Sequence, residues 1–437
     1  MNVTDSVETW KGVSLSSLPL EILEHIFSFL HRDDLLQAMS VCTSWQSLIS
    51  SSPNLWRSQT FIFDCALRSS KKKIVDMLFC AQTFGPRFEK LSVKCRHHDV
   101  HECKKMAEKL NLFLAGFIAP TLSSFKVSDL RMYNASRIVV KKICNKLTQM
   151  FARDCHLKVF EMPIAHWSNT EGQKVLDAVF RKSRNTLETL SIPEYFICQT
   201  GIPVEKDWFA NGLTSLTKLT KLSITVFYLT DELIVSLAHS RRGELAHLTL
   251  WANWVFPRSP HVQQDSWKNL TEACPSMEVE FRIIGYVTDP HASLPPLFDS
   301  VLPVTKMKIL VSQKYCPLPW PLQKMEIVLE HIRQHYWFRL KSLNLSVFNT
   351  KKKDFDQTLI MLVKDCPRLI NVKILASYHS GDTAKTIERI VTQRRRTHLT
   401  SKGGPTKKLR IESQPLDKAS QTEDPMKRPP GHHETSP

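Results

Sequence analysis

The sequence predicts an α/β protein in three parts: a three-helix module at residues 14–60, an irregular α/β solenoid at 61–391, and a disordered basic tail at 392–437. Three observations carry that expectation. A dense run of apolar residues at helical spacing lies near the start of the chain. A short apolar pattern then recurs along its middle. Beyond about residue 392 that pattern stops, and Pro, Ser, Thr, Lys and Gly dominate.

The first part centres on "LPLEILEHIFSFLHRDDLLQAMSVCTSWQSLI", Leu18 to Ile49. Pro19 suits a helix start, where its missing N–H costs nothing. Ile22, Leu23, Ile26, Phe27 and Leu30 follow at helical spacing, with Leu20 and Phe29 widening the apolar surface. His31-Arg32-Asp33 breaks the run, and Asp33 is placed to cap a second helix carrying Leu35, Leu36, Met39 and Val41. A third helix surrounds Trp45 and Leu48, and the turn "SSSPN" leads to Leu55 and Trp56. Three short helices cannot hide apolar residues on so many faces. At ~1.5–3 kcal/mol per large side chain, some must be covered by the rest of the chain or by a partner.

Leu18-Pro19-x-Glu21-Ile22-Leu23, Ile26, Leu30, Asp33, Leu35-Leu36, Val41-Cys42, Trp45 and Leu55-Trp56 resemble the F-box motif nearly end to end, over roughly residues 14–57. The resemblance implies a three-helix module that docks on the Skp-type adaptor of a cullin-RING ubiquitin ligase. It points to Leu18, Pro19, Ile22, Leu23, Ile26, Leu30 and Leu36 as the adaptor side, with Val41 and Trp45 holding the helices together.

In the second part the repeating unit is apolar-x-x-apolar-x-apolar. It reads "FEKLSV" at Phe88, "LSSFKV" at Leu122, "LKVFEM" at Leu157, "LETLSI" at Leu187 and "LTKLSI" at Leu219. It continues as "LAHLTL" at Leu245, "VTKMKI" at Val304, "LKSLNL" at Leu340 and "LINVKI" at Leu369, with "SMEVEFRI" near Met277 out of register by a residue. The end of each unit alternates as a half-buried strand does, and helical patterns such as Thr230 to Ser240 and Asp354 to Cys366 lie between. One strand and one helix per unit, stacked on like neighbours, describe an α/β solenoid. The pattern resembles leucine-rich repeats, irregular and longer than the usual ~20–29 residues. Cys366-Pro367-x-Leu369 before a strand is similar to the cysteine-containing repeat variant of F-box proteins; Cys274-Pro275-x-Met277 copies its opening and then slips.

In such a horseshoe the last two apolar residues of each unit point inward to the core, and their neighbours line the concave face. That face collects Lys90, Lys94, Lys126, Lys221, Arg282, Lys306, Lys308 and Lys373 against Glu161 and Glu280, with Trp251 flanked by His247 and Thr249. The expectation is a client-binding face made of Lys126, Lys221, His247, Trp251, Arg282, Lys306, Lys308 and Lys373, attracting an acidic or phosphorylated segment. The competing reading is a row of solvated lysines that keeps the protein dissolved.

The tail holds two basic clusters, Arg394-Arg395-Arg396 and Lys407-Lys408-Leu409-Arg410. They resemble a bipartite nuclear import signal, so the chain is expected in nucleus and cytoplasm. A net charge of +17 makes acidic partners a general expectation. The eleven cysteines lack a CxxC pair, as in reduced compartments. No apolar run reaches the ~20 residues of a membrane span, and the first residues do not read as a secretory signal, so no membrane partner is expected.

No phosphate-binding glycine loop, GxSxG or HExxH occurs, and glycine is scarce at 12 residues. "CRHHDVHEC", Cys95 to Cys103, crowds its candidate ligands into one loop, unlike the paired segments of a structural zinc site. His331 and His335 share a helix face, but Ile332 stands where a zinc protease needs glutamate. No metal, cofactor or catalytic residue is expected. The resemblances imply the substrate-recognition subunit of an SCF-type ubiquitin ligase, reaching cullin and RING subunit through the adaptor and holding an unknown client on the repeats. Two alternatives stand beside it: a basic solenoid binding nucleic acid, disfavoured by the lack of exposed aromatics between its basic stripes, and a ligase-independent scaffold.

Overall fold

The computed structural model describes residues 18–64, 71–96, 100–117, 120–153, 156–197, 206–253, 262–284, 301–311, 323–347, 356–376, 380–399 and 410–413. It forms two compact units, Met1–Leu219 and Thr220–Pro437.

The first unit opens with four short helices, α1 (Leu20–Phe27), α2 (Arg32–Ala38), α3 (Thr43–Ser51) and α4 (Pro53–Trp56). Pro19 precedes α1, and its carbonyl accepts from the N–H groups of Ile22 and Leu23. Asp33 does not cap α2: His31 holds that position, and Asp33 sits in the first turn, taking the Arg32 guanidinium at 2.8 Å. Strands β1 (Ser58–Asp64), β2 (Lys90–Arg96), β3 (Ser124–Ser128), β4 (Val159–Glu161) and β5 (Thr189–Ser191) then pair in parallel, in chain order. Between and after them run α5 (Lys71–Phe84), α6 (Val100–Ala115), α7 (Arg137–Ala152), α8 (Asn169–Lys182) and α9 (Lys206–Thr214). Parallel neighbours need a crossover, and a crossover that always advances by one strand puts every helix on the same side.

The side-chain alternation agrees. On β2, Leu91, Val93 and Cys95 are buried under the helices while Lys90, Lys94 and Arg96 are exposed on the open face. Phenylalanines fill the space between sheet and helices: Phe61 lies 4.7 Å from Phe113, and Phe125 lies 5.1 Å from Phe151. Gly172 of α8 permits this packing, since a Cβ there would stand 2.5 Å from the Phe196 ring.

Beyond the carboxyl ends of β3, β4 and β5 the chain enters the left-handed region at five residues that are not glycine: Asp129, Arg131, Ile164, His166 and Glu194. Each such residue is strained by about 1 kcal/mol or more. Loop-to-loop hydrogen bonds hold them. The N–H groups of Arg131 and Met132 donate to the carbonyls of Ile164 and Ala165, and those of Ile164 and His166 donate to Pro193 and Glu194.

The second unit repeats the plan with β6 (Lys221–Thr225), β7 (His247–Asn253), β8 (Glu278–Ile284), β9 (Val304–Val311), β10 (Ser342–Val347), β11 (Asn371–Ala376) and β12 (Arg410–Ser413), again parallel and in order. Its helices are α10 (Asp231–Ser240), α11 (Gln264–Ala273), α12 (Gln323–Tyr336), α13 (Asp356–Asp365) and α14 (Gly381–Leu399). An aspartate ties successive helices together in two places. Asp231 accepts from the Gln263 N–H at 2.8 Å and the Ser266 hydroxyl at 2.6 Å. Buried Asp356 accepts likewise from the Ser380 N–H at 2.9 Å and the Thr383 hydroxyl at 2.6 Å.

Each of the nine in-register copies contains a strand, β2 to β7 and β9 to β11. Three features of the repeat region also differ from the sequence reading. Strand β1 was not anticipated. The copy near Met277 is a full strand, β8, whose Val279 and Phe281 align with Leu248 and Leu250 of β7; the slip is a bulge against β9 between Val279 and Glu280. Chain order also continues past residue 391, where the tail was expected to begin. Helix α14 runs on to Leu399, and Arg410–Ser413 pairs with β11.

Candidate docking faces

The apolar residues of α1 divide between two faces. Leu23 and Phe27, spaced i, i+4, are buried, and the Phe27 ring meets Trp45 edge-on at 5.0 Å. One position earlier, Ile22 and Ile26 remain 48% and 39% exposed. Leu20 at the helix start and Phe29 and Leu30 beyond its end are exposed too, Pro19 is exposed, and Leu18 and Leu36 are half-buried. Two of the sequence assignments are corrected by this division. Leu23 lies inside the module at 3% exposure and has no surface to offer an adaptor. Val41, expected to hold the helices together, is 64% exposed. The other expected adaptor residues lie on the surface or at its margin.

Polar and ring contacts brace the module internally and against the first repeat. The Glu24 carboxylate accepts from the Ser52 hydroxyl at 2.5 Å and the Asn54 amide at 3.0 Å. These two hydrogen bonds hold its pKa below the ordinary carboxylate value, against partial desolvation. Arg32 stacks on Phe61 at 4.6 Å and donates to the Thr60 carbonyl, and Arg87 donates to the Ser50 carbonyl. Trp56 is fully buried, stacked on Phe84 at 3.7 Å, with its indole N–H donating to Ile49. Ile22, Ile26, Phe29 and Leu30 thus stay exposed on a module whose own core is filled.

The second face is the open side of the sheet. In the first unit Lys126 is paired with Glu161 at 2.9 Å, so its charge is largely met. In the second unit the strand register lines up Thr225, Trp251, Arg282, Lys308, Asn344, Lys373 and Arg410 across neighbouring strands. Trp251 donates its indole N–H to the Ser223 hydroxyl at 3.1 Å, and Arg282 lies over its ring at 5.2 Å. The Arg282 fork holds Glu280 through two hydrogen bonds, at 2.6 and 3.2 Å. Glu278, absent from the sequence reading of this face, accepts from Lys341 at 2.7 Å and Lys306 at 3.2 Å. The Lys341 bond is the main cause of its lowered pKa. Lys221 is exposed at the margin, beside half-buried His247. Lys308 and Lys373 have no carboxylate partner among the described residues. Burial, then the nearby Arg282 charge and more weakly Lys373, push the Lys308 ammonium below its ordinary value, with Glu280 opposing.

The expected import cluster is built into the fold at one end. Arg394 donates to the carbonyls of Cys366 at 2.8 Å and Lys364 at 2.7 Å, satisfying the end of α13, and Arg395 donates to Ile370 at 2.7 Å. Arg396 follows on the same helix, Arg410 opens β12, and Lys407 and Lys408 lie outside the described residues. Cys80 and Cys366 are pushed up to about 12 by burial, which keeps them as thiols. His331 and His335 pack ring to ring at 4.1 Å on α12. Cys95 is buried on β2, while His97, His98 and Asp99 of the cysteine–histidine loop lie outside the described residues. Among the described residues no three His, Cys, Asp or Glu side chains are grouped to hold a metal, and no helix is long and apolar enough to cross a membrane.

A profile of the F-box-like domain matches residues 15–62. No curated protein matches the chain. Among solved structures, the leucine-rich repeat-containing protein LegL7 from Legionella pneumophila is similar at 11% identity and a TM-score of 0.38, over 77% of this chain and 98% of that one. A protein from Bacteroides fragilis is similar at 10% identity and a TM-score of 0.30, over 82% and 75%. The repeat assignment rests on the strands themselves, parallel, in chain order and covered on one side. The chain therefore carries an F-box-like domain at residues 15–62, followed by a leucine-rich-repeat-like α/β solenoid, an architecture that fits the receptor type of F-box protein.

Proposed function

We propose that this chain is the substrate-recognition subunit of an SCF-type ubiquitin ligase. The F-box-like domain docks on a Skp-type adaptor, which brings cullin and RING subunit, and the repeats hold a client protein. The chain supplies no reactive group in this scheme. It raises the local concentration of client lysines beside the ubiquitin-charged enzyme, and that proximity is its contribution to the rate. The supporting observation is the outward apolar pair Ile22 and Ile26 of α1, with Phe29 and Leu30 exposed just beyond its end, on a domain whose own core is already filled by Leu23, Phe27 and Trp56. Co-expression with the adaptor and cullin tests it. The wild type should retain both in a pull-down, and Leu18→Ala/Pro19→Ala/Ile22→Ala should lose both. Adaptor retained without cullin would leave a ligase-independent scaffold, and no adaptor with either form would remove the reading. Residence in nucleus and cytoplasm is proposed with it, on the basic clusters of residues 394–396 and 407–410.

A further inference from the structure

We infer that Lys308, Asn344 and Lys373, on the open face of the second unit, bind an extended client segment rich in aspartate and glutamate. This deepens the receptor reading and rests on it. The three residues are direct neighbours across β9, β10 and β11. Strands lie ~4.8 Å apart, so the two lysines are spaced by roughly 10 Å along a line crossing the strands. An extended peptide laid on that line presents every second side chain to the sheet, at intervals of ~7 Å. Flexible lysine stems take up the difference. Glu280 and Glu278 do not fill the demand, because Arg282 holds the first and Lys341 with Lys306 holds the second. A carboxylate arriving at Lys308 also relieves its proximity to Arg282 and Lys373, which together with burial disfavours its charged form.

Two other anions fit less well. Bidentate phosphate recognition is made best by a free guanidinium fork, a lysine offering only a point charge. The only arginine of the row with a described side chain, Arg282, has its fork on Glu280 and its plane over Trp251. A single-stranded nucleic acid needs open aromatic platforms between the cations. Trp251 is the one large aromatic of the described row, and Arg282 covers it.

The test is fluorescence anisotropy on the full chain without adaptor, using three labelled probes. One is a short peptide alternating glutamate and serine, one is the same peptide with glutamines for glutamates and a single phosphoserine, and one is oligothymidylate. The glutamate probe should bind tightest, with affinity falling as salt rises. Lys308→Gln/Lys373→Gln should weaken it by about tenfold. Lys308→Arg/Lys373→Arg should keep most of the affinity. Lys385→Gln, at a lysine of α14 paired with Asp382 and outside the open face, should change it by no more than about threefold. Circular dichroism melts confirm that each variant is folded. Tighter binding of the phosphoserine probe or the oligonucleotide overturns the inference, as does wild-type affinity in the glutamine double variant. Adaptor capture is scored on the same samples. Adaptor binding without glutamate-probe binding removes this inference and leaves the receptor reading; glutamate-probe binding without adaptor binding supports the inference while removing that reading.

Discussion

Replacing Ile22 and Ile26 by alanine separates the two faces of α1 quantitatively. Full burial of an isoleucine side chain contributes about 3 kcal/mol at most. The two residues are 48% and 39% exposed. Covering the remainder therefore has about 2.5 kcal/mol to give, most of it from atoms beyond Cβ. The double variant should lose about 2 kcal/mol of adaptor affinity, roughly thirtyfold in Kd. Its melting temperature should stay close to wild type, because neither residue belongs to the core. Leu23→Ala should do the opposite kind of damage. Leu23 is buried, and its truncation should cost about 2–5 kcal/mol of folding stability. Titration calorimetry with purified adaptor, alongside thermal unfolding, reads both quantities. Unchanged adaptor affinity in Ile22→Ala/Ile26→Ala would refute the assignment of the outward pair as the docking face.

Other outcomes follow from the geometry. Asp356→Ala strands the Ser380 and Thr383 donors and should lower stability by about 3 kcal/mol in urea unfolding, with Thr383→Val losing less. Gly172→Ala should cost ~1–3 kcal/mol by forcing Phe196 from its place, also read by urea unfolding. The Glu278 carboxyl has a lowered folded pKa, so its contribution is present above the unfolded value and lost as pH falls through the folded one. Glu278→Gln should therefore be less stable than wild type at neutral pH, and unfolding across an acid series should show the gap closing below about pH 4. Lys407→Gln/Lys408→Gln should lower the nuclear fraction in fluorescence imaging without moving the melting temperature, whereas Arg394→Gln should lower the melting temperature as well, because Arg394 caps α13.

What the sequence made legible, and what it hid, have separate physical causes. Nine strands were visible because each alternates two inward apolar residues with outward ones. Strand β1 was hidden by Gln59, a polar residue in an inward slot. Its amide is buried and donates to the Leu55 carbonyl at 3.1 Å, which removes most of the cost of placing it there. The end of α14 was hidden for a related reason. Arg394 and Arg395 are held by backbone carbonyls, and a hydrophobic pattern cannot reveal such bonds. In the F-box-like domain the motif identified the module but not the division of labour within α1. Ile22 and Leu23 are adjacent and equally apolar, and only the helix packing decides that one faces out and the other in. On the open face the lysines and Glu161 were visible, but the pairing was not, and Glu278 was missed. Pairing with Glu161 or Glu278 depends on residues one or more strands away.

The left-handed residues past β3, β4 and β5 carry one more consequence. Glycine would relieve the strain at Ile164 or His166, yet would also leave the unfolded chain more freedom to lose. With bulkier residues there, tied by hydrogen bonds from one loop to the next, the conformational entropy of that edge is surrendered during folding. Molecules that meet this rim encounter loops already fixed in position, so little of the association energy is diverted into immobilising them.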